Sequence, residues 1–162
     1  MLFLKNIIVQ VLWLFAFIPS VFADQYPFNY QIDIQHYAFA LTLSDDTDEI
    51  IGTTSIVILF KSNDVSQFRL DLANKTQERL GKGMEVSSVT SEGIQLKYQH
   101  QEDALVIKMN QRVDKGSLKT FIIEYGGTPE AGLEIKNNHY GDRTFFCESW
   151  PNNTRHWLPT ID

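Results

Sequence analysis

The sequence holds a single cysteine, Cys147, in 162 residues. One thiol excludes an intramolecular disulfide and any site built from several thiolates, so neither a disulfide-knotted miniature scaffold nor a zinc ribbon is possible. Basic clusters are missing as well. Fourteen Lys and Arg stand against twenty Asp and Glu, a net charge of −6, and nucleic acid is a poor candidate partner for such a chain. Five prolines and nine glycines are too few for a collagenous or linker-like polymer, and 43% hydrophobic residues is the balance of one folded domain. With no covalent staple, what holds that domain must be an apolar core.

Catalytic signatures are equally scarce. H-E-x-x-H, G-x-S-x-G, the P-loop and the dinucleotide fingerprint are all absent. The four histidines, His36, His100, His139 and His156, include no two spaced to share a helical face, so they are not expected to bind metal. Cys147 has no histidine arranged beside it and is expected to be a buried, small apolar residue. The acidic pairs Asp45/Asp46 and Asp48/Glu49 fall in a polar stretch that reads as a solvated hairpin tip. Two sequons, at Asn74 and Asn152, matter only in a host that glycosylates secreted chains.

The first 23 residues read as an export signal. Lys5 supplies the positive n-region, Ile7 to Ile18 is an apolar run interrupted only by Gln10, and Val21-Phe22-Ala23 presents small residues at the peptidase positions. The run is too short for a membrane span, which needs about 20 apolar residues. Cleavage after Ala23 leaves an acidic mature chain, periplasmic or extracellular, with no membrane span.

From Tyr30 onward the pattern is that of strands. Tyr30, Ile32 and Ile34 alternate with polar residues, and Phe39, Leu41 and Leu43 continue with a period of two. Asp45 to Asp48 then turns the chain into Ile50 to Phe60, predicting a long antiparallel pair. Further strands are expected at Val65 to Leu72, Met84 to Thr90, Ile94 to Tyr98, Leu105 to Met109, Leu118 to Tyr125 and Arg143 to Cys147, with Gly93 supplying a positive φ in a tight hairpin. Ala73 to Leu80 has good helix formers but is closed by Gly81 and Gly83, so a turn is expected there. No window carries a helical stripe. An all-β sandwich or open barrel follows.

Three features close the chain in order: Tyr125-Gly126-Gly127-Thr128-Pro129 leading to Gly132-Leu133; Gly141 to Glu148; and Trp150-Pro151-Asn152-Asn153-Thr154-Arg155-His156-Trp157-Leu158-Pro159-Thr160-Ile161-Asp162. After a β-rich stretch opening Tyr30-Gln31-Ile32-Asp33-Ile34, this succession resembles the N-terminal domain of the aminopeptidase N family of zinc metallopeptidases. The resemblance covers residues 26 to 162, and the Arg-x-Trp-Leu-Pro-x-x-Asp ending is its most specific part. It implies a saddle-shaped antiparallel β-sandwich that rests on a thermolysin-like catalytic domain.

The family's G-x-M-E-N and H-E-x-x-H motifs, which bind the substrate's α-amino group and the zinc, are not in this sequence. The resemblance therefore implies the non-catalytic part of an exported aminopeptidase: residues 24 to 162 as a domain incomplete at its C-terminal end, with no catalysis and no cofactor of its own. Zinc belongs to the full-length family. The implied partners are a downstream or separate catalytic domain and, in that context, a peptide N-terminus. Glu148 stands where the family places a carboxylate or amide facing the substrate's α-ammonium. Seven positions separate it from Arg155 where five are usual, so Trp150 can take that register instead. Arg155 is expected to anchor the last loop by bidentate hydrogen bonds, with Trp150, Trp157 and Leu158 packed under it. A self-standing secreted sandwich that binds a protein or glycan is the alternative.

Overall fold

The computed structural model describes residues 29–161. The expected export signal lies outside them, and no helix among the described residues is long and apolar enough to cross a membrane. Ten strands account for most of the described residues: β1 (Ile32–Thr42), β2 (Ile50–Phe60), β3 (Val65–Asp71), β4 (Gly83–Ser91), β5 (Ile94–Gln95), β6 (Lys97–Gln101), β7 (Ala104–Val113), β8 (Leu118–Thr128), β9 (Leu133–Asn137) and β10 (Arg143–Cys147). A short 3-10 helix, Asn153–His156, follows. The strands form antiparallel sheets of five (β1-β2-β8-β4-β5), three (β3-β7-β6) and two (β10-β9).

Alternation explains the burial. In β2 every even position from Ile50 to Phe60 is buried while the odd positions face outward or half out. Register sets Ile56 opposite Phe121 and Thr54 opposite Ile123 of β8, so one face of the larger sheet is apolar. The three-stranded sheet presents Phe68, Leu70, Leu105 and Ile107, all buried, to the same core. Phe60, Phe68 and Phe121 meet edge-on or tilted, with centroids 4.7–6.4 Å apart. Two layers around one core make the all-β sandwich that the alternation predicts.

The structure departs from the sequence reading at several elements. Ile32 and Ile34 lie on even numbers, while Tyr37, Phe39 and Leu41 lie on odd ones. A bulge between Ile34 and His36 absorbs the change of phase and keeps both sets on the core side. Tyr30 precedes β1 and is 75% exposed, so it is not part of the alternating face. The single strand expected at Ile94 to Tyr98 is two: β5 pairs with β4 and β6 with β7, with buried Leu96 at the switch between sheets. β9 has no counterpart in the sequence reading. The β4–β5 hairpin turns on Glu92 and Gly93, both at positive φ, as the glycine predicts. Ala73 to Leu80 is a turn-rich loop.

Candidate functional site

The candidate residues lie on β10 and the segment after it. β10 pairs with β9 from Arg143↔Asn137 to Cys147↔Leu133, and the Glu148 N–H extends the ladder by donating to the Gly132 carbonyl at 2.9 Å. Glu148 is exposed at the strand end. A loop then leads through Ser149 and Trp150 to the 3-10 helix, where Asn153 N donates to Ser149 O at 2.9 Å and Asn153 Nδ2 to Trp150 O at 3.4 Å.

The segment after the helix is fastened to the body of the sandwich. Ala73 N donates to the Arg155 carbonyl at 2.8 Å, and Asp71 and Thr160 exchange both backbone hydrogen bonds at 2.7 and 3.1 Å. Trp157, Leu158 and Thr160 are buried as a result. Gly132 lies against the helix: a Cβ there would sit 2.3 Å from Asn153 O and 3.0 Å from Trp157 Cδ1, and its φ is +81°. Only glycine lets these backbones approach so closely.

Charged side chains brace the same loops. Arg79 donates twice to Asp103, at 2.6 and 2.5 Å, and once to the Asn74 carbonyl at 3.0 Å. Its Nε lies 2.8 Å from Glu130, which in turn lies 3.3 Å from His156 Nδ1. Asn74 and Asp103 are further tied by reciprocal hydrogen bonds at 3.0 and 2.8 Å. Burial opposes ionisation of Asp103, but the hydrogen bonds from Arg79 and from Asn74 N outweigh it and hold the carboxyl below its ordinary value. Arg143 pairs with Asp48 and donates to the Ser44 carbonyl at 3.2 Å, fixing β10 to the β1–β2 connection. The Asp45 to Glu49 stretch is exposed, as expected of a hairpin tip, with Asp48 its fastened member.

Several site expectations are corrected. Trp150 does not pack beneath Arg155: it is 84% exposed, whereas Trp157 is buried as expected. Cys147 is exposed rather than buried, because the two-stranded sheet leaves its outer face uncovered, and its Sγ lies 3.1 Å from Ser149 Oγ. Arg155 is half-buried, and its backbone carbonyl accepts from Ala73 N. Glu148 and Trp150 are thus the candidate residues that face solvent on this loop. The bracing set of Arg79, Asp103, Glu130 and Gly132 was not singled out as a site by the sequence. Its members come from three separate segments, and Gly132 beside Leu133 is the only one that a sequence motif marks.

Among the described residues a ligand set for zinc does not assemble. His36 is exposed on β1, His100 is on β6 with Nε2 2.9 Å from the Leu72 carbonyl, His139 is in the β9–β10 turn and His156 faces Glu130. Among the described residues no three His, Cys, Asp or Glu side chains converge to hold a metal ion, so a catalytic zinc, which takes three protein ligands, does not fit here.

Comparison with solved structures gives the architecture a context. No protein-family model matches the sequence, and no curated protein matches it either. Structural similarity is found to a two-domain M1 zinc metallopeptidase bound to L-tryptophan (20% identity, TM-score 0.65, 82% of this chain and 30% of that one). An M1 zinc metallopeptidase from Deinococcus radiodurans matches at 21% identity and TM-score 0.65, over 82% of this chain and 29% of that one. Leukotriene A4 hydrolase from Saccharomyces cerevisiae matches at 16% and 0.64, over 82% and 21%. The chain spans less than a third of each of these proteins, and at such identities the likeness is one of fold. The ten-stranded sandwich of residues 29–161 therefore has the fold of a domain-sized part of M1 zinc metallopeptidases.

Proposed function

We propose that this chain is the N-terminal, non-catalytic domain of an exported M1 zinc aminopeptidase, and that it supports a catalytic domain and lines that domain's substrate entrance. The observation that carries the reading is the fold likeness, which takes in 82% of this chain but only about 30% of an M1 neighbour. The Arg155-His156-Trp157-Leu158-Pro159 ending and the loop before it support it. That loop is fastened from below by Gly132, Trp157 and the Arg79 network, and holds Glu148 and Trp150 out to solvent. Export rests on Lys5, the apolar run from Ile7 and the Val21-Phe22-Ala23 site. Zinc is supplied by the catalytic domain, since the described residues offer no ligand set.

In this reading Glu148 faces the α-ammonium of a peptide substrate. A charge-assisted contact of that kind contributes about 1.5–3 kcal/mol. In the chain joined to its catalytic domain, Glu148→Ala is expected to raise KM for peptides with a free N-terminus about tenfold or more, with a smaller effect on N-acetylated ligands. A rise on Trp150→Ala instead, with Glu148→Ala silent, shifts the contact to the alternative register. If neither variant changes the kinetics, this loop has no part in substrate binding, and the self-standing protein- or glycan-binding module becomes the better reading.

A further inference from the structure

Both ends of the loop that carries Glu148 and Trp150 meet one short segment. At the near end the Glu148 N–H donates to the Gly132 carbonyl at 2.9 Å. At the far end His156, the last residue of the 3-10 helix, places Nδ1 3.3 Å from Glu130 Oε2, and that nitrogen is shut off from solvent. Glu130 and Gly132 both belong to the bend between β8 and β9. The position of that bend therefore sets where the loop can sit.

A side chain fixes the bend. Arg79 Nε lies 2.8 Å from Glu130 Oε2, the same oxygen that faces His156. The two terminal nitrogens of the guanidinium are taken by Asp103 and the Asn74 carbonyl, so Arg79 is a fixed point on the body of the sandwich and Nε is the donor left for Glu130. Side-chain exposures of 24%, 34% and 19% for Arg79, Glu130 and His156 put these contacts above the strength of a fully solvated surface pair. Gly132 is pressed against the helix backbone, where even a Cβ would come within 2.3 Å of Asn153 O. Close packing of this kind has no slack, so a displacement of the bend is passed on to the loop.

We propose that Glu130 is a positioning residue for Glu148. Clamped by Arg79 and facing His156, it holds the bend in place, and it acts through the hydrogen bond from Glu148 N to the Gly132 carbonyl rather than by touching a substrate. Its kinetic consequence rests on the reading of Glu148 given above, whereas its effect on the loop does not.

Amide hydrogen exchange of the purified chain reads that hydrogen bond directly. Glu130→Ala is expected to speed exchange of the Glu148 N–H about tenfold or more, because local opening becomes easier, while the amides of β2 and β8 keep the parent rates. Glu130→Gln retains an acceptor oxygen for Arg79 and is expected to fall between the two. Glu134→Ala removes an exposed carboxylate from the neighbouring strand β9 and is expected to leave the Glu148 rate unchanged. In the chain joined to its catalytic domain, Glu130→Ala is expected to raise KM for peptides with a free N-terminus about threefold or more. It should add nothing to Glu148→Ala, since a residue that acts through another is not additive with it. The proposal is overturned if the Glu148 N–H is unprotected in the parent, if it exchanges no faster in Glu130→Ala, if β2 and β8 lose protection equally, or if the two substitutions raise KM independently. Silent Glu148→Ala kinetics would instead overturn the enzymatic reading, and the exchange rates alone would then decide whether Glu130 positions the loop.

Discussion

Gly132 and Gly93 both adopt a left-handed backbone, at φ +81° and +77°, but they sit in different surroundings. A Cβ on Gly93 meets nothing within 4 Å, whereas one on Gly132 runs into Asn153 O and the Trp157 ring. Gly93→Ala is expected to cost the conformational penalty alone, about 1–2 kcal/mol. Gly132→Ala adds a steric clash with backbone that cannot swing away, and is expected to cost about 3 kcal/mol or more. Urea denaturation of the two variants against the parent checks the difference, and equal losses would mean that the 3-10 helix yields without cost. The same crowding shows how a residue outside the exposed loop governs it, since Gly132 also accepts the Glu148 N–H.

Among the elements, Arg79 has the widest reach. From a turn-rich loop it grips the β6–β7 hairpin through Asp103 and the connection after β8 through Glu130, and Glu130 carries the contact on to the 3-10 helix through His156. Arg79→Ala is expected to cost about 2 kcal/mol, below the range for fully buried pairs because each partner is a quarter to a third exposed. Its pH dependence has a definite sign. The folded state holds the Asp103 carboxyl below its ordinary value, so the stabilisation is present above the unfolded value of about 3.9 and is lost as pH falls through the folded one. The gap between parent and Arg79→Ala, measured by urea midpoint, should therefore be widest near neutrality and close under acid. A constant gap down to pH 2, well below the unfolded value, would assign the role to the hydrogen bond from Arg79 to the Asn74 carbonyl or to packing of the Arg79 stem.

For the molecule as a whole, the chemistry expected of the fold's relatives and the residues present here diverge. The histidines are dispersed over β1, β6, the β9–β10 turn and the 3-10 helix, and no metal-binding cluster forms among the described residues. The purified chain is expected to retain no stoichiometric zinc after dialysis and to hydrolyse no aminoacyl anilide. One zinc per chain, with turnover abolished by a chelator, would overturn both expectations and demand a ligand set that the described residues do not contain.

Strand positions and the sandwich class were legible in the sequence because alternation in β2, β3 and β8 is a local consequence of one face meeting a core. The turn at Gly93 was legible for a similar reason: a positive φ marks its own residue. Partner choice is not local. Nothing in Ile94 to Tyr98 indicates that the chain changes sheets at Leu96, and β9 escaped notice because a short strand beside a single partner needs little alternation. The candidate residues divide the same way. Glu148, Arg155 and Trp157 could be picked out by resemblance, but whether an aromatic is covered depends on which layer lies above it. Trp157 belongs to the segment bonded down to Asp71 and Ala73, while Trp150 and Cys147 stand on a two-stranded sheet and its loop with an open face. Composition and period thus determined the elements and their inward faces, and the tertiary structure alone decided which strands pair, which aromatics are buried and which loop is held out to solvent, because those outcomes depend on contacts between residues far apart in the chain.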